Sequence, residues 1–382
     1  MPNISPSEIL SIVENKLQQV HTHAVDISFN ELLDMHKSGE LIINPDYQRL
    51  PRWSEGARSR FIESLILGMP VPPIFVIEEE SNVFQLIDGL QRITSYLHLR
   101  GELIAPHLKP PVALGEKLVL SDCDIIKELN GLTYDDLGTS LQIRLKRRFV
   151  RMEVVGKSSD IRFKYHMFKR LNTGGENLTN QQLRNCTIRM LDAKFNEFII
   201  DLSRNQDFIK CVGILTQEQT LGAYDQELIP RYFALKNDRS SFNHDVADFL
   251  TDYMEKVSDP EYPLEFDYEN EKINFEKTFK IFSSTLADAS FGYPNKTKTE
   301  VVKGFSIYHF EALTMGIQEF LVSIDTENQD KLLELAIELK SIKLNEEFVA
   351  ITQGGGRNSK NALRDRIAFV SNRLQIFFNN GN

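Results

Sequence analysis

Hydrophobic and polar positions follow two rhythms along this chain, and the change falls near Gly156. Before it, short apolar runs broken by turn residues alternate with helical spacings. Ser28 is placed to cap a helix running to about His36, and "LIINPDYQRLPRW" reads as an extended stretch. Ser54 can cap the next helix, whose Phe61, Ile62, Leu65 and Ile66 share a face and which Gly68 and Pro70 end. "IFVIEEESNVFQLID" predicts two strands around a Ser81-Asn82 turn. Asp88-Gly89 is a second turn signal, after which Ile93, Tyr96 and Leu97 recur at helical spacing until Gly101, where a C-cap glycine belongs. The segment 102–140 is irregular, and "RFVRMEVVG" predicts a last strand with Phe149, Met152 and Val154 on one side.

From Asp160 onward the three-to-four spacing of amphipathic helices takes over. A helix, a Gly174-Gly175 break and a second helix come first, the second opened by a Thr179…Gln182 capping box. Further amphipathic stretches cover roughly 186–204, 224–256, 270–288, 303–323 and 328–343, with a final helix over about 360–378. The pattern predicts an α+β domain over 1–155 followed by a mostly helical domain over 156–382, the helices of 160–185 completing the site of the first.

Composition narrows the class without naming a function. The chain has 382 residues, 41% of them hydrophobic and 26% charged, as in ordinary globular proteins. Its formal net charge is -10, so any contact with nucleic acid must come from a local basic patch and not from the overall field. No apolar run approaches membrane-spanning length, the amphipathic N-terminus does not resemble a signal peptide, and the three cysteines are isolated. The expectation is a cytoplasmic protein with no membrane partner. His21-x-His23 is the one close histidine pair, and it is assigned to a disordered N-terminal segment.

Four stretches carry residue types that do chemistry. At Asp88-Gly89-Leu90-Gln91-Arg92 a strand runs into a helix. Asp88 and Gln91 have the spacing of a capping box, which would leave Arg92 solvated. Arg92 also opposes the helix dipole unless an anion is near, and a glycine-led helix N-terminus is a ready phosphate site. Both readings stand on these residues alone. In "NPDYQRLPRW", Tyr47, Gln48 and Arg49 offer a ring, an amide and a guanidinium, or else a surface loop with Trp53 packed behind it. In "FKRLNTGGENL", Arg170 and Asn172 precede Gly174-Gly175, whose amides form either an anion nest or a helix end and turn. In "GGGRNSKNALRDR", Arg357, Lys360, Arg364 and Arg366 form a basic face suited to nucleic-acid phosphates, or an ordinary charged helix after a loop. A further patch of Arg144, Lys146, Arg147, Arg148 and Arg151 reads as a solvated edge. No Walker A spacing, Gly-x-Ser-x-Gly elbow, zinc-spaced His/Cys set, His-Asn-His pattern or Asp…Glu-x-Lys nuclease core occurs, so no metal ligands are assigned.

Together, Asn44 to Trp53, "VPPIFVI", Asp88 to Arg92 and Phe168 to Leu178 resemble, in order and spacing, the N-terminal domain family of GmrSD type IV restriction endonucleases. The resemblance covers about 40–180 and implies a ParB/sulfiredoxin-like domain followed by helices. It also implies a nucleoside triphosphate cofactor, with Mg2+ entering alongside it. Asp88 would orient water or metal, Gly89 would admit phosphate to the backbone, and Gln91 and Arg92 would hold the developing charge. Arg49, Arg170, Asn172, Gly174 and Gly175 would close the cleft, with Tyr47 and Gln48 at the base.

The chain departs from the family pattern at Leu90, which replaces the first glutamine of Asp-Gly-Gln-Gln-Arg. Its spacing to Ile93 and Leu97 suits a core position. The His-Asn-His nuclease domain of fused members is not recognised either, which implies a separately encoded nuclease. The leading expectation is an NTP-binding, NTP-hydrolysing component of a prokaryotic antiphage or restriction-type defence system that senses DNA or its nuclease partner. The alternative is a non-enzymatic nucleotide- or DNA-binding regulator of that nuclease, and a third reading is a DNA-nicking enzyme. A homo-oligomer is compatible with each.

Overall fold

The computed structural model describes residues 5–17, 20–43, 53–106, 108, 110–160, 163, 164, 166, 167, 170, 179–243, 245–259, 261, 263–354 and 356–380. It is a mixed α+β unit followed by a helical one: contacts divide the chain into Met1–Leu178 and Thr179–Asn382. The sequence boundary stood at 155/156, so 156–178 lies with the first unit.

The first unit is built on a five-stranded mixed sheet, β1 (Thr22–Ser28), β2 (Leu41–Ile42), β3 (Ile74–Glu78), β4 (Phe84–Asp88) and β5 (Phe149–Val155), in the order β1-β5-β3-β4-β2. β1 pairs antiparallel with β5 and β3 antiparallel with β4, while β3/β5 and β2/β4 are parallel. The Ser81-Asn82 turn joins β3 to β4 with both residues at positive φ, the backbone twist that tight hairpins require. Helices α2 (Phe29–Ser38), α3 (Glu55–Leu67) and α4 (Leu90–Leu99) bury one stripe each against the strands. The shared core joins Phe29, Leu32, Ile62, Leu65, Ile93 and Leu97 to Ile74, Val76, Leu86, Val150 and Met152. Ser28 and Ser54 cap α2 and α3 as expected, accepting from the backbone N–H of Glu31 and Ala57.

Three expectations fail in informative ways. His23 lies in β1, an edge strand whose seven residues all pair with β5, and not in a disordered segment. The strand was hidden because "THAVDIS" lacks clean alternation, as an edge strand half open to solvent allows. In β5 the buried positions are Val150, Met152 and Val154, whereas Phe149 is 62% exposed, so its assignment to the inner face is corrected by one residue. The single helical stretch over 224–256 is two helices, Tyr224–Asn237 and Val246–Val257, because Asp245 caps the second and the turn at Arg239–Ser241 interrupts the periodicity.

Helix α1 (Pro6–Leu17) contributes to neither core and exposes Ile9, Leu10, Ile12, Val13 and Leu17. The helical unit has its own core, dominated by aromatic edge-to-face contacts among Phe195, Phe233, Phe266, Phe275, Phe279 and Phe310. The Thr179…Gln182 capping box is formed in both directions. No described helix is long and apolar enough to cross a membrane.

Candidate functional site

Asp88 ends β4, and its position depends on an irregularity in the ladder. Phe75 opposes Asp88, but Val76 opposes Leu86, so Ile87 is an extra residue in β4. Such a bulge re-aims the side chains beyond it. Leu86 and Ile87 are both buried, and Asp88 emerges at the sheet end with its side chain 36% exposed.

Gly89 then caps α4 at φ +110°, a conformation that side-chain-bearing residues avoid. A Cβ there would sit 2.5 Å from Ile74 Cγ2, inside the core. Glycine is therefore demanded by backbone and packing together. The capping box read from Asp88 and Gln91 is not formed: no side chain caps this helix. Asp88 Oδ2 instead accepts from Arg92 Nη2 at 2.5 Å, one turn on. The same Nη2 donates to the Pro73 carbonyl at 3.1 Å. Arg92 is thus not solvated: its Nε is buried and meets no acceptor among the described residues.

Gln91 turns the other way, and its Oε1 accepts from the backbone N–H of Trp53 at 3.2 Å. The Trp53 carbonyl accepts from Arg58 Nε at 3.0 Å, and Arg58 Nη1 donates to His98 Nδ1 at 2.5 Å. Arginine is a donor only, so His98 is neutral with its proton on Nε2. Burial, aided by the Arg58 charge, pushes the His98 imidazole down to about 4. Burial likewise lowers the Arg58 guanidinium from its usual range. Arg58 and His98 were not singled out in the sequence. The available signal was Arg58 standing in line with Ile62 and Leu65 on the apolar face of α3, with Gln91, Ser95 and His98 forming a polar stripe on α4.

Leu90 is buried in the core with Ile93 and Leu97, as its spacing indicated. The structure thus brings together Asp88, Gly89, Gln91 and Arg92, with Trp53 beside them. Arg170 is exposed and lines a shallow apolar pocket with Phe163, His166 and Met167. Tyr47, Gln48, Arg49, Asn172, Gly174 and Gly175 lie outside the described residues.

The basic face of the C-terminal stretch is smaller than expected. Arg366 is corrected: it is 1% exposed, pairs with Glu311 and donates through Nη1 to the Arg357 carbonyl at 2.8 Å. Glu311 also pairs with Arg231, which pairs with Glu227, which pairs with Arg184. These five residues form a buried ion-pair chain, the only disposition in which a charge so deep is tolerated. Arg357, Lys360 and Arg364 are exposed, with Lys360 Nζ donating to the Ser240 carbonyl at 2.6 Å and Arg364 paired with Asp365. Of the second patch, Arg151 pairs with Glu153 and Arg148 donates to the Met69 carbonyl. Among the described residues, no group of three or more His, Cys, Asp and Glu is arranged to hold a metal ion.

Residues 29–189 match the family described as the GmrSD restriction endonuclease, N-terminal domain. No curated protein and no solved structure matches the chain. The matched stretch contains β2, the Asp88–Arg92 junction and the Thr179 cap, and ends where the helical unit begins to build its own core.

Proposed function

With residues 29–189 forming a GmrSD restriction endonuclease N-terminal domain, we propose that the protein binds a nucleoside triphosphate at the Asp88–Arg92 junction and hydrolyses it. It would do so as a component of restriction-type defence against foreign DNA. One observation carries the reading. A helix begins on a glycine with no side-chain cap, beside an arginine whose buried Nε has no acceptor among the described residues. Uncapped first-turn N–H groups and an adjacent guanidinium together favour a phosphate.

In this reading Arg92 neutralises charge on the transferring phosphoryl group. Asp88, partly exposed, orients the attacking water or shares a Mg2+ ion with the phosphates, since Mg2+ commonly takes one or two carboxylates and the substrate's oxygens. The ion would supply charge neutralisation on the phosphates. Leu90 presents no obstacle, because its side chain belongs to the core. The non-enzymatic reading draws on a different fact: the Asp88 carboxylate is already held by Arg92 and must be released before it can serve water or metal. DNA contact is assigned to Arg357, Lys360 and Arg364, and cleavage to a separately encoded nuclease.

The test is phosphate release by purified protein from ATP, GTP, CTP and UTP, with and without DNA, beside Asp88→Ala and Arg92→Ala variants of native circular dichroism. Turnover lost in both variants places hydrolysis at this junction. Tight nucleotide binding without turnover selects the regulatory reading, and absence of binding in the wild type refutes both. DNA affinity should fall steeply with salt and drop in Arg357→Ala/Lys360→Ala; unchanged affinity in that variant would remove the DNA assignment.

A further inference from the structure

Three buried polar side chains converge on one peptide at the edge of this junction. Trp53 is the last residue of the stretch that carries Tyr47, Gln48 and Arg49, and the first described residue after it. Its N–H is taken by Gln91 Oε1 and its C=O by Arg58 Nε, so both hydrogen-bonding groups of Trp53's backbone are held by side chains from two different helices. Gln91, Arg58 and His98 are 7%, 4% and 4% exposed. The His98 backbone is fixed in turn, its carbonyl accepting from Leu118 N–H at 3.0 Å. The Trp53 ring packs edge-on against Phe61, and Phe61 against Phe29.

We propose that Arg58 and His98 are positioning residues of the nucleotide site: through Arg58 they lock the Trp53 peptide against Gln91, and so set where the Tyr47-Gln48-Arg49 segment leaves the junction. The inference rests on the nucleotide reading above for its functional consequence, and on geometry alone for the clamp. A loop of this length gains defined placement only if its ends are fixed, because each residue left free costs conformational entropy when a ligand orders it. Arg58 is otherwise hard to explain. A guanidinium in an apolar stripe is expensive to bury, and here its donors go to a carbonyl at a loop end and to a neutral imidazole, with no carboxylate among those acceptors. His98 supplies the acceptor that keeps Arg58 turned toward Trp53 and away from solvent.

The chain contains one tryptophan, so Trp53 reports on its own clamp. Three variants separate positioning from mere stability. His98→Leu removes the acceptor, His98→Asn returns an oxygen near the place of Nδ1, and Arg58→Lys keeps the charge but loses the Nε contact. Acrylamide quenching of Trp53 emission and the Kd for a fluorescent GTP or ATP analogue are read under conditions where circular dichroism shows each variant folded. His98→Leu and Arg58→Lys should raise quenching and weaken nucleotide binding about tenfold, as loss of a hydrogen bond to a charged group does, and His98→Asn should restore both.

Wild-type quenching and wild-type affinity in folded His98→Leu would overturn the proposal, even if its melting temperature falls. Altered quenching with unchanged affinity would confirm the clamp and refute its role in the site. If the wild type binds no nucleotide, the nucleotide reading fails by itself, and unaltered quenching in His98→Leu would still refute the clamp.

Discussion

Replacing Gly89 with alanine measures how much of the junction is demanded by the fold. Two costs add. The backbone at φ +110° penalises any Cβ, by about 1–2 kcal/mol. The new methyl would also overlap Ile74 Cγ2 at 2.5 Å, and Ile74 is fully buried in the sheet, so relief requires core strain of about 1–3 kcal/mol. The total is about 2–5 kcal/mol. Gly39 is the control: its φ is +82° and nothing lies within 4 Å of the Cβ position, so Gly39→Ala carries the backbone cost alone. Urea unfolding followed by Trp53 fluorescence reads the first unit specifically, since the sole tryptophan lies in it. Gly89→Ala should lose about 1–3 kcal/mol more than Gly39→Ala. Combining it with Ile74→Ala, which removes the clashing methyl, should give a combined loss smaller than the sum of the two. Equal losses in the two glycine variants, or strict additivity with Ile74→Ala, would refute the packing argument and return Gly89 to a role in ligand approach alone.

Two further expectations concern buried charge. His98 is pushed down to about 4 and the buried His309 to about 3, so the unfolded chain takes up their protons first as pH falls below the ordinary 6.5. Their contribution is fully present above pH 6.5, is lost progressively down to about 4 for His98, and is constant below; for His98 it amounts to about 3 kcal/mol. The urea midpoint read by Trp53 should fall between pH 7 and pH 4.5, and fall less in His98→Asn; identical slopes would contradict the neutral assignment. Glu311 joins Arg231 and Arg366 inside the helical unit, so Glu311→Gln should cost about 3–5 kcal/mol by calorimetry or far-UV melting. Arg366→Met should cost less, because Glu311 keeps Arg231; a larger loss in Arg366→Met would refute the shared-partner arrangement.

What local chemistry writes into the chain was legible in it. The serine caps at Ser28 and Ser54, the Ser81-Asn82 turn, the Thr179…Gln182 box and the core position of Leu90 each depend on residues within a few positions of one another, and each is found. The mixed α+β organisation with a helical continuation followed from the change of period at the same level. Motif order was enough to recognise the domain that residues 29–189 match.

Only the tertiary structure decided what depends on distant partners. Asp88 and Gln91 have capping-box spacing, yet a bulge opposite Phe75 and the core beneath Gly89 divert one to Arg92 and the other to Trp53. Arg366 sits among exposed basic residues in sequence, but Glu311, 55 positions away, draws it inside. Edge strand β1 exists because β5 supplies its hydrogen bonds, and Arg58 finds its role through His98 on another helix. A side chain's rotamer and partner are chosen by the lowest free energy among all neighbours the fold assembles. Spacing along the chain determines that choice only when the nearest competitor is also local.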